Sequence, residues 1–279
     1  MKLTAWVLAV IITLAAAYYQ RITGPTYPKE QTISINGKQS ETKFIRSHGG
    51  DDDATVTLNI ADTSVRAVIY WNHYPSKKDE IWNVSEFKHE VVEGQNGMTV
   101  KLPHQPPAGK LMYYTEITDS KGTQAFFKES PIVIRYKGDV PAWVLIPHVI
   151  FIFIAMLIAN VSGLFAAFKI PRYKFYTKWT LILIFIGGLI LGPIVQKYAF
   201  NEFWAGVPRG WDLTDNKLLI AFIAWLIAFL MNRKKENRSS VIVAALITLI
   251  IFTIPHSMFG SELDRETGKV IQGFIHLRL

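Results

Sequence analysis

The chain has 279 residues, half of them apolar, and no cysteine, which excludes disulfides, thiolate metal sites and cysteine nucleophiles. Its formal charge of +8 is confined to three stretches beside apolar runs: Lys2; Lys169, Arg172, Lys174 and Lys178; and Arg233, Lys234, Lys235 and Arg238 against Glu236. That is the positive-inside signature of a multi-pass membrane protein. A nucleic-acid binder would carry its charge on one exposed face, so nucleic acid is excluded as a partner.

In chain order, residues 3–19 form an apolar run behind Met1-Lys2 and read as an uncleaved signal anchor. The Ala15-Ala16-Ala17 end is the feature that fits a cleavage region instead. The next 120 or so residues are charge-balanced and rich in β-formers, enough for a domain with its own core. Strands are expected at 54–60, 66–71, 98–102, 111–117 and 132–136, from alternating or continuous apolar residues. Turns are expected at Asn36-Gly37, Asn96-Gly97, Pro106-Pro107-Ala108-Gly109 and Lys121-Gly122. About seven short strands over this length make a β-sandwich, with Trp71 in its core.

The run Pro103-His104-Gln105-Pro106-Pro107-Ala108-Gly109 before the strand Leu111-Met112-Tyr113-Tyr114, with the strand spacing, resembles the fibronectin type III and immunoglobulin-like class. The resemblance covers this domain alone. It implies an adhesion, spacer or partner-docking module, and the sandwich does not say which.

Four further apolar runs follow, at 144–168, 179–195, 218–232 and 241–255. The last two are short for a span, which needs about 20 residues. Both basic loops can lie in the cytoplasm only if every run crosses. The resulting path starts in the cytoplasm and places the β-domain and the C-terminus outside. Lipid leaves backbone polar groups no partner, so the spans are expected as helices. Gly187-Gly188 and Gly192-Pro193 mark close packing or a bend. Residues 258–279 read as a hairpin around Thr267-Gly268. The expected organisation is an anchor helix (1–23), an outer all-β sandwich (24–140), a four-helix transmembrane bundle (141–257) and an outer tail (258–279), in a bacterial inner membrane.

This topology carries one chemical consequence. His148, near the start of the second helix, and His256, just after the fifth, fall on the same outer rim. The rim also gains Asp212 and Asp215 from the loop between the third and fourth helices, and Glu262 from the tail. Imidazoles with carboxylates are ligands for a transition-metal ion, and two histidines across a bundle are the axial pattern of haem b. The plainer readings are a helix-exit histidine, one interhelical hydrogen bond for His148, and a cap on the fourth helix from Asp212 or Thr214. The loop 198–211 has five aromatic rings. With Glu202, Trp204, Arg209 and Trp211 it forms either interfacial packing or a lid, the lid requiring Glu202 and Arg209 to point inward. Polar residues inside the spans include Asn160, Ser162, Thr180 and Thr248, with no mid-span carboxylate for a proton relay. Walker, GxGxxG, HExxH and GxSxG motifs are absent.

Two functions are therefore expected. The first is a non-catalytic or accessory subunit of an inner-membrane complex, contacting lipid and docking membrane or periplasmic subunits through the sandwich. The alternative is a redox or hydrolytic metalloprotein with the rim as its site, in the redox case passing electrons to a quinone.

Overall fold

The structure, a computed structural model, describes residues 1–76, 80–92, 94–256, 261–265, 267–268 and 270–272. It divides into a helical unit built on Met1–Pro25 and Val140–Ser261, and a β-unit of Thr26–Asp139 with Glu262–Val270.

The β-unit is a sandwich. Strands β1 (Lys29–Ile35) and β2 (Lys38–Phe44) form a hairpin turning at Asn36 and Gly37, whose φ values of 49° and 84° suit the right-handed twist of the arms. The larger sheet contains β3 (Ser47–Gly49), β11 (Ile132–Lys137), β9 (Lys110–Asp119), β5 (Arg66–His73) and β6 (Asn83–Glu86), in that order. Strand β10 (Gly122–Phe126) pairs with the far half of β9. The facing sheet orders β4 (Ala54–Leu58), β8 (Gln95–Leu102) and β7 (Lys88–Val92). Inward residues alternate along each strand. Ile69, Leu111, Tyr113, Ile117, Ile132 and Ile134 from one sheet meet Val56, Leu58, Met98 and Leu102 from the other, with Ile33 and Phe44 from the hairpin. Trp71 packs against this core from its edge, half-buried.

The five strands expected from the sequence are all present. The hairpin arms β1 and β2 and the short strands β3, β6, β7 and β10 were not foreseen, because their faces are mostly exposed and polar. Asn96-Gly97, expected as a turn, lies inside β8, and Gly94 at φ 80° occupies the turn instead. The tail forms the expected hairpin in β12 (Ser261–Leu263) and β13 (Val270–Gln272), while 258–260 and 273–275 lie outside the described residues.

The helical unit contains α1 (Lys2–Ile22), α2 (Ala142–Ala167), α3 (Tyr173–Ile184), α4 (Gly192–Phe200), α5 (Leu213–Lys234) and α6 (Arg238–Thr253). A π-helical stretch, Phe185–Leu191, joins α3 to α4, so that Tyr173–Phe200 is one rod of 28 residues. Four helices, α1, α2, this rod and α5, are long and apolar enough to span a bilayer. Helix α6, at 16 residues, is shorter. It runs back along α5 and ends beside the end of α1, where the Gln20 amide donates to the Ile254 carbonyl at 3.1 Å.

Packing relies on small side chains, as expected where lipid removes the hydrophobic drive between helices. Ala5 and Ala9 of α1, Ala155 and Ala159 of α2, Ala228 of α5 and Ala244 of α6 are all buried. The expected N-terminal helix is present and packs through Ala5 and Ala9 against the other helices of this unit. Gly163 of α2 lies so close to α6 that a Cβ there would sit 2.5 Å from the Ala245 Cβ. Each buried polar group inside the spans has a partner. Asn160 donates to the Thr13 hydroxyl at 2.9 Å, Ser162 bonds Thr177 at 2.9 Å, and Thr248 accepts from the Trp225 indole at 2.7 Å. Outward faces carry Ile11, Leu14, Ile150, Phe153, Ile223, Ile227, Val243 and Leu246, a lipid-compatible exterior.

Candidate functional site

The end of the helical unit where α1 and α6 finish gathers most of the residues singled out above. Asp212 caps α5, its Oδ1 accepting the amides of Thr214 at 2.8 Å and Asp215 at 3.2 Å. Asp215, 5% exposed in the first turn, accepts the amides of Ala205 at 2.7 Å and Gly206 at 3.1 Å and bonds the Gln196 side chain of α4. The next residue, Asn216, accepts the Val207 amide at 2.8 Å. The first turn of α5 therefore holds the aromatic loop 201–212 by its backbone. One residue further, Lys217 is 5% exposed and donates to the Ile254 carbonyl at 2.8 Å. That oxygen also accepts from Gln20, so a single carbonyl at the exposed end of α6 ties α1, α5 and α6 together. The last carbonyls of a helix have no partner within it, and a lysine placed here satisfies one of them and complements the helix dipole.

His148 lies in the second turn of α2. Its Nδ1 is 2.8 Å from the Gly187 carbonyl, which also accepts the Gly192 amide across the π-helical stretch. A carbonyl only accepts, so Nδ1 carries the proton and Nε2 keeps its lone pair. The π-helical stretch brings the rod against α5: a Cβ on Gly188 would lie 2.6 Å from a Leu218 methyl. His256 follows α6 and is exposed, yet the surrounding helix ends desolvate it. That desolvation, then the Lys217 ammonium and the His148 imidazole, push its pKa down to about 4.

The carboxylates have partners of their own. Asp212 and Asp215 are engaged by backbone amides. Glu262 belongs to the β-unit. There its carboxylate pairs with Lys110 at 2.9 Å, both side chains about 15% exposed, and Leu263 donates to the Ala108 carbonyl at 3.2 Å. Burial lowers the Lys110 pKa, and the Glu262 bond opposes that shift. Among the described residues no three His, Asp or Glu side chains are gathered as a metal centre.

In the loop, the Trp204 indole closes a local turn onto the Val207 carbonyl at 3.1 Å. Glu202 is half-buried, and desolvation, then Asp212, raises its pKa. Arg209 and Trp211 are exposed.

Sequence reading passed over Gln20, Gln196, Asn216 and Lys217. A lysine five residues past a helix cap, at the head of an apolar run, was the available signal for Lys217. No protein-family model matches the chain and no curated protein is significantly similar to it.

Proposed function

We propose that this protein is a non-catalytic subunit of a bacterial inner-membrane complex, with its N-terminus in the cytoplasm and its β-unit in the periplasm, where the sandwich docks a partner protein. The observation that carries this reading is the outward face of the larger sheet. Tyr70 and Tyr114 stack there with ring centroids 4.7 Å apart, Trp82 packs edge-on to Tyr114 at 5.1 Å, and Val84 pairs across from Tyr70. Ile81 and Val84 beside them are 92% and 56% exposed. Aromatic rings next to exposed aliphatic side chains on a sheet face favour protein contact over bulk water. The rim is compatible with the same reading, because Asp212 and Asp215 serve a helix end and the loop, and among the described residues no three His, Asp or Glu side chains gather as a metal centre.

The test is a photo-crosslinking side chain at Val84 in the full-length protein, with a matched probe at Lys38 on the exposed hairpin. A discrete adduct from Val84 in intact membranes, co-purifying in mild detergent and missing from Lys38, supports the proposal. A strict monomer with no adduct at Val84 overturns it.

A further inference from the structure

The opposite end of the helical unit collects nearly all of the net positive charge. Trp6 of α1 meets Tyr176 of α3 edge-on at 5.8 Å, and Phe165 of α2 meets the same ring at 5.1 Å. The Tyr173 hydroxyl donates to Asn232 of α5 at 3.0 Å, and Asn232 donates to the Asn237 carbonyl before α6 at 2.8 Å. The Arg238 guanidinium lies 5.4 Å over the Tyr173 ring. These contacts place Lys2, Lys169, Arg172, Lys174, Lys178, Arg233, Lys234, Lys235 and Arg238 on one rim. The lone carboxylate in the two loops, Glu236, faces Arg238 at 3.5 Å. The other eight cations are exposed and have no ion pair among the described residues.

The rim is more than a scatter of lysines. Lys169 and Arg172 are held at φ values of 55° and 73°, on either side of the buried Ile170, which anchors the turn in the bundle core. Left-handed backbone is unfavourable at a residue with a Cβ, and here it fixes two cations at the helix ends. On α3, Lys174 and Lys178 lie one turn apart. Beside them Phe175 and Trp179, 55% and 44% exposed, have ring centroids 6.3 Å apart. Cations alternating with exposed rings, directly above a lipid-compatible helical surface, match the depth of phospholipid headgroups.

We infer that this rim binds the net-negative phosphodiester headgroups of anionic phospholipids, with Lys174 and Lys178 on one side and Arg233 and Lys234 on the other as principal contacts. The inference does not depend on the docking role of the sandwich, and the experiment reads it separately.

Full-length protein in a neutral detergent is titrated with dioleoyl-phosphatidylglycerol, with dioleoyl-phosphatidylcholine and with inorganic phosphate at matched ionic strength, and bound lipid is counted by native mass spectrometry. Phosphatidylglycerol is expected to bind at least about tenfold more tightly than phosphatidylcholine, with no competition from inorganic phosphate. At roughly 1 kcal/mol per cation, K174Q/K178Q weakens it by about 30-fold. R233Q/K234Q acts similarly, and K38Q/K43Q on the β-unit hairpin changes nothing. Should K174Q/K178Q lower the lipid-free unfolding midpoint, R233Q/K234Q decides the matter. Equal affinity for the two lipids, displacement by inorganic phosphate, or indifference to the substitutions overturns the inference.

Discussion

Replacing Asp215 by alanine removes the acceptor of two backbone amides, those of Ala205 and Gly206 at 2.7 and 3.1 Å. Ala205 is 3% exposed and Asp215 5%, so water does not take the carboxylate's place without opening the loop. A buried donor left without an acceptor costs about 1–3 kcal/mol. Two such amides, relieved in part by local adjustment, give an expected loss of about 3 kcal/mol. Asp215→Asn keeps one acceptor oxygen and is expected to lose about 1 kcal/mol. The assay is reversible unfolding of full-length protein in mixed micelles, followed by tryptophan fluorescence. A chelator is expected to leave the parent's unfolding curve unchanged, because the carboxylate acts on amides and not on an ion. The reasoning is refuted if the alanine variant unfolds within about 0.5 kcal/mol of the parent. It is equally refuted if chelation moves the parent to the variant's midpoint, which would return Asp215 to a metal site.

Other substitutions probe separate links. Gly163→Ala places a Cβ 2.5 Å from that of Ala245 and is expected to cost about 1–3 kcal/mol, most of it recovered by adding Ala245→Gly. A coupling energy near zero between the two would break the assigned α2–α6 contact. Asn232 donates to Ala228, Asn237 and Ser240 and accepts from Asn237 and Tyr173, so Asn232→Leu is expected to lose about 2–4 kcal/mol and to speed proteolysis between α5 and α6. Unchanged proteolysis would count against that network. Glu202 has its pKa raised in the folded state, so the folded protein takes up a proton more readily than the unfolded chain. Its contribution is therefore fully present below the ordinary glutamate pKa and is lost as pH rises through the raised value. Glu202→Gln is expected to flatten that part of the stability profile and to raise the midpoint at neutral pH. A profile identical to the parent's contradicts the assigned desolvation.

The spans and the buried strands were legible because burial writes a strong pattern. Runs such as 144–168 have no charge, and β5 and β9 alternate against a core. Strands β6 and β7 were not legible, since their residues are mostly exposed and hydrogen bonding to a neighbour holds them in place. The rim was half legible. Charge parity brought His148 and His256 to the same layer, and the Asp212 cap followed from its position before the apolar run. The pairing of Glu262 with Lys110 was not legible, because the two residues lie 152 positions apart and no local feature of the tail points to that partner. Lys217 was overlooked because a lone cation one turn into a helix looks solvated until the acceptor, a carbonyl 37 residues away, is known.

The Ile254 carbonyl, bonded by Gln20 and Lys217, has a consequence for biosynthesis. Helix α1 precedes α6 by more than two hundred residues in the chain. Thr13 finds its partner Asn160 on α2, 147 residues along the chain, whereas Gln20 finds the Ile254 carbonyl 234 residues along. Residues Thr26–Asp139 of the β-unit lie in sequence between these partners. A chain stalled before residue 254 lacks the one acceptor that Gln20 of α1 and Lys217 of α5 share, and with it the tie that draws these helix ends together.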